Sequence, residues 1–64
     1  MFTFREAKQR LATRNIRLIR DTDWNVFVAQ PHYDAPWVVE SDDVEDVYFM
    51  AVKEHKIDLE NGVA

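Results

Sequence analysis

Apolar positions early in the chain recur at helical spacing. Phe4, Ala7, Leu11 and Ala12 lie along one side, with Arg5, Gln9, Arg10 and Thr13 opposite. Thr3 and Glu6 form T-x-x-E ahead of this run, the signature of a capping box, which predicts a helix over about 3–14. Glu6 and Arg10 stand as an i,i+4 pair, and Asn15 is suited to a left-handed helix end. The period then changes from helical to alternating. Ile16–Arg20 reads as a strand, Asp21-Thr22-Asp23 as a turn, and Trp24–Gln30 as a second strand. Trp24, Val26 and Val28 would share one face of that strand, and Asn25, Phe27 and Ala29 the other. A strand apolar on both sides belongs at the centre of a sheet. Pro31 and Pro36 interrupt the chain, and Trp37–Glu40 resumes it as a short third strand.

Ser41 then reads as an N-cap for a second helix over about 42–56. Val44, Val47, Tyr48, Ala51, Val52 and His55 fall within one arc of its wheel. Beyond it, 57–64 carries a turn signal at Asn61-Gly62 and reads as a loose tail. The pattern predicts one α+β domain over 1–64, in the order α-β-β-β-α. Its simplest form is a three-stranded antiparallel meander with both helices packed on one face.

Size sharpens the demands on this fold. A chain of 64 residues buries only about 60% of its unfolded surface. Without cysteine it has neither a disulfide nor a thiolate metal site to support it. Packing must supply the stability, and a 47% hydrophobic composition is enough to exclude a disordered chain. No apolar run is long enough to span a membrane. The start "MFTFREAKQR" lacks a signal-peptide core, so the expected location is the cytoplasm.

Charge changes the picture more. Residues 1–20 hold six Lys and Arg against one carboxylate, whereas 21–64 hold eleven carboxylates against two lysines. The acid is densest in "SDDVED", residues 41–46, at the head of the second helix. First-turn carboxylates face free backbone N–H groups, and each stabilises by about 0.3–1 kcal/mol. That accounts for Asp42, Asp43 and Glu45 and less well for Asp46, one turn on. At about 100° per residue, Asp42, Glu45, Asp46 and Lys53 lie opposite the Val44/Val47/Ala51 stripe. Phe49 falls within that polar side and Met50 at its margin. An aromatic anchor ringed by charge has the make-up of a protein-binding hot spot. The candidate partner-binding residues are therefore Asp42, Glu45, Asp46, Phe49 and Met50, with Asp21, Asp23 and Asp34 as a second rim. With both helices on one face, the opposite sheet face is expected to draw on Arg17, Ile19, Asn25, Phe27, Val38 and Glu40. It offers a homodimer interface or a further partner site, or else it is the face the helices cover.

Catalytic chemistry has little to build on. His32, Asp34 and His55 are the residues that invite a metal or acid–base reading, yet no H-x-x-x-H spacing joins them. Ser41, the sole serine, is taken as a cap, and no G-x-S-x-G is present. One glycine cannot make a phosphate-cradling loop. The expectation is a protein that is not an enzyme, with no metal and no cofactor.

Two resemblances bear on function. The α-β-β-β-α order is similar to that of double-stranded-RNA-binding domains, whose second helix opens with lysines that grip phosphates. Ser41-Asp42-Asp43-Val44-Glu45-Asp46 stands in that place here, so the likeness is of topology and carries no RNA binding with it. In size, acidity and lack of cysteine the whole chain also resembles the accessory proteins of bacteriophages and mobile elements. These include inhibitors of host polymerases, nucleases and CRISPR effectors. That resemblance implies a non-enzymatic inhibitor in a bacterial host, covering a basic surface on a nucleic-acid-handling protein. The alternatives are a nucleic-acid binder using Arg5, Arg10 and Arg14 of the first helix, or an antitoxin-like partner subunit.

Overall fold

The structure, a computed structural model, describes residues 2–64. Its elements are α1 (Phe4–Ala12), β1 (Ile16–Asp21), β2 (Val26–Pro31), β3 (Val39–Ser41) and α2 (Val44–Glu60). The protein is an α+β fold in the order α-β-β-β-α. The antiparallel sheet has the order β1-β2-β3. α1 packs on β1, and α2 packs on β2, β3 and α1.

The expected capping box forms. Thr3 Oγ1 accepts from the Glu6 N–H at 3.1 Å, and the Glu6 carboxylate accepts from the Thr3 N–H at 3.3 Å. Glu6 is thus turned back on Thr3, and the Arg10 guanidinium lies 4.3 Å from the centre of the Phe2 ring. Replacing Thr3 with alanine removes the first of these bonds. It should cost about 1 kcal/mol in urea denaturation without changing the helix content of the folded state. α1 stops at Ala12, short of the expected 14, with Thr13 as its C-cap and the Thr13 hydroxyl donating to the Arg10 carbonyl. Asn15 takes the left-handed conformation expected of it, with φ 61°.

Register decides the faces of the sheet. Ile16 pairs with Pro31, Leu18 with Ala29 and Arg20 with Phe27. Ile16, Leu18, Phe27 and Ala29 therefore share one face. Ile16, Leu18 and Ala29 are fully buried there with Ala7 and Leu11 of α1 and Val47 and Ala51 of α2. Phe27 stacks on Phe4 at 5.6 Å between centroids, so its expected place on the open face is corrected. The error lies in the turn. Residues 22–25 all belong to it, which removes Trp24 and Asn25 from the strand and places Trp24 outside the sheet. The open face instead carries Arg17, Ile19 and Asp21 opposite Gln30, Val28 and Val26, with Glu40 paired to Val28.

Two further boundaries differ from expectation. β3 ends at Ser41, and Asp43 caps α2, its side chain accepting from the Glu45 N–H at 3.0 Å. Ser41 Oγ accepts from the Asp43 N–H at 3.2 Å, one step before the cap. α2 continues to Glu60, so 57–60 is helix rather than loose tail. It closes with Gly62 at φ 74°, the Gly62 N–H on the Leu59 carbonyl and the Val63 N–H on that of Asp58. This is the Schellman pattern, which needs the left-handed backbone that glycine adopts without strain.

Candidate functional site

The acid at the head of α2 divides into two kinds. Asp43 is spent on the cap, whereas Asp42 and Asp46 are exposed and Glu45 is half-buried. One turn on, Phe49 is 59% exposed and Met50 37%. Phe49 is not an isolated ring on a polar face. It meets Tyr48 at 5.4 Å and Phe2 at 6.1 Å, while Phe2 and Tyr48 meet edge-on at 4.6 Å. Phe2 thus ties the start of the chain to α2 and holds Phe49 against an aromatic base. Sequence reasoning missed this partner of Phe49, because contacts between distant segments leave no local period.

Strand pairing extends the acid beyond the helix. Asp21 pairs with Val26 and Phe27 with Ser41, so the 22–25 turn and the 41–43 segment sit at the same end of the sheet. Asp21, Asp23, Asp42 and Asp43 are gathered at that end. Asp21 has a structural task as well. Its Oδ1 accepts from the backbone N–H of Asp23 at 3.0 Å and of Trp24 at 3.3 Å. Asn25, at φ 54°, closes the turn, and its Oδ1 accepts from Arg20 Nη2 at 3.1 Å. The turn so held displays Trp24 at 80% exposure. Asp34 does not join this rim. It follows Pro31, which pairs with Ile16 at the other end of the sheet.

The basic residues proposed for nucleic acid are not assembled into one row. At about 100° per residue, Arg5 and Arg10 are well apart around α1, and Arg14 lies beyond its end. Arg10 covers Phe2, and Arg14 Nη1 lies 3.3 Å from His55 Nδ1. Because a guanidinium only donates, Nδ1 accepts, which assigns the His55 ring proton to Nε2.

At the end away from the acid, Tyr33, His55 and Arg14 line a shallow cavity of about 270 Å³ with Thr13, Asn15 and Ala64. The Tyr33 hydroxyl and the Trp37 indole N–H both donate to Asp58 Oδ2 at 2.7 Å. Desolvation, together with the Asp58 carboxylate accepting its proton, pushes the Tyr33 phenol up to about 12. His32 is exposed in the loop after β2 and His55 is buried. Among the described residues no group of three or more His, Cys, Asp or Glu is placed to hold a metal ion. No described helix is long and apolar enough to cross a membrane.

Comparison with protein-family models, with curated proteins and with solved structures gives no match. The reading of the site rests on its chemistry.

Proposed function

We propose that this chain is a non-enzymatic binding protein that covers a basic, nucleic-acid-handling surface of a larger host protein. The class we favour is a phage- or mobile-element-encoded inhibitor acting on a CRISPR effector, nuclease or polymerase. One observation carries the reading: Phe49 is held outward on an aromatic base, directly beyond the exposed carboxylates of Asp42 and Asp46. Carboxylates gathered at one end steer a cationic surface into contact and raise the association rate. Phe49 and Met50 then supply the desolvated contact that slows dissociation. Acid in place of phosphate lets such a protein compete with nucleic acid for one groove. The nucleic-acid reading is weaker, because Arg10 is stacked on Phe2 and Arg14 is engaged with His55.

The test starts with affinity capture from a bacterial lysate and identification by mass spectrometry, followed by kinetics on the purified pair. Changing Asp42, Glu45 and Asp46 together to alanine should slow association about tenfold at low salt and flatten its salt dependence. Phe49→Ala should leave the salt slope alone and speed dissociation about tenfold or more. An unchanged salt slope in the triple variant would remove the basis of the proposal. So would the recovery of nucleic acid alone.

A further inference from the structure

The open face of the sheet holds a second cavity, of about 330 Å³, lined by Trp24, Val26 and Glu40. Pairing explains how they meet. Glu40 stands opposite Val28, Val26 is the next residue of β2 on the same face, and Trp24 overhangs from the turn just before it. We infer that this cleft receives an arginine side chain of the basic partner, an inference that rests on the function proposed above.

Three features select that occupant. The Trp24 indole is the aromatic that best attracts a cation across its face. The Glu40 carboxylate accepts a guanidinium fork through two parallel bonds. Val26 gives the methylene stem an apolar floor. An apolar occupant would strip water from Glu40 and return no hydrogen bond to it. A guanidinium is planar and weakly hydrated, so it can stack on Trp24 and pair with Glu40 together, whereas an ammonium serves as a point charge only. Among the described residues no cation lies over the Trp24 ring. Arg20, next to the turn, pairs with Phe27 on the helix-covered face and donates to Asn25. The backbone that carries Trp24 is fixed, because Asp21 and Asn25 hold the turn from both sides.

Blocked hexa-arginine and hexalysine peptides, titrated against the intact chain, test the cleft. The readout is the indole N–H resonances of Trp24 and Trp37, assigned with Trp24→Phe, together with the backbone amides of α2. The arginine peptide should shift the Trp24 indole and leave that of Trp37 in place. Glu40→Gln and Trp24→Leu should each weaken its binding about tenfold, and hexalysine should bind several-fold more weakly. If only α2 amides move, the cleft assignment falls and the proposed function survives. If neither set moves, both fall. Equal binding of the two peptides, or a Trp24 shift that follows chain concentration without peptide, overturns the cleft as an arginine site. Glu40 and Trp24 are both exposed, so neither change should unfold the domain.

Discussion

Leu11→Ala should destabilise the fold by about 2–5 kcal/mol. Leu11 is fully buried, and the core it fills is small: among the described residues Ala7, Ile16, Leu18, Ala29, Val47 and Ala51 complete the buried apolar set. Three of those six are alanines, and the larger side chains packed against the cluster, among them Phe4, Phe27 and Tyr48, are only partly buried. Deleting a buried leucine side chain costs about 2–5 kcal/mol, with the upper part of that range where the site cannot collapse. A domain of this length has about 3–10 kcal/mol in total. Against that total, the loss runs from about a fifth of the stability to all of it. Urea denaturation followed by far-ultraviolet circular dichroism measures it. A loss below about 1 kcal/mol would mean that Leu11 is not the centre of the core.

Asp58→Ala should be the next most damaging change, although Asp58 is only half-buried. Its Oδ2 accepts from both the Tyr33 hydroxyl and the Trp37 indole, and these two bonds pin the loop between β2 and β3 to the last turns of α2. Bonds to a charged acceptor contribute about 1.5–3 kcal/mol each, less where water can replace them. We expect a total loss of about 2–3 kcal/mol. The phenol supplies a second readout. Its proton is held more tightly in the fold than in the unfolded chain, with a value of about 12 against 10.0. The stability it contributes is therefore complete below pH 10.0 and is lost as pH rises toward 12. Asp58→Asn removes the charge but keeps an acceptor. It should bring tyrosinate formation at Tyr33 down toward its ordinary range and lessen the loss of stability above pH 10.0. An absorbance titration in which Tyr33 ionises at the same pH with and without the change would show that the carboxylate does not hold the proton.

Much of the fold is legible in the sequence. Thr3 and Glu6 announce α1, Asn15 its left-handed exit, and the switch from helical to alternating period announces the strands. Each is a property of a few adjacent residues, which is why local chemistry reports it. The acid at the head of α2 and the exposure of Phe49 and Met50 follow from the helical wheel for the same reason. The 22–25 turn was harder, because Asp21 and Asp23 advertise a turn without stating its length. A turn one residue shorter, over 21–23, would keep Trp24 in a strand and send Phe27 to the open face, since a slip of one residue reverses every side chain. It would also hide the cleft beside Glu40.

By itself, then, the sequence determined the order of elements, the capping box of α1, the central place of β2 and the division of charge along the chain. Tertiary structure decided which strand face is covered, how far α2 runs, and which carboxylates share one end of the sheet. Strand register brings Asp21 and Asp23 to the same end of the sheet as Asp42 and carries Asp34 to the far end, and the last turns of α2 are secured by residues 21 and 25 positions earlier. The physical reason is range. Propensity and capping act over one turn of chain, whereas pairing and burial join segments whose separation no local pattern records.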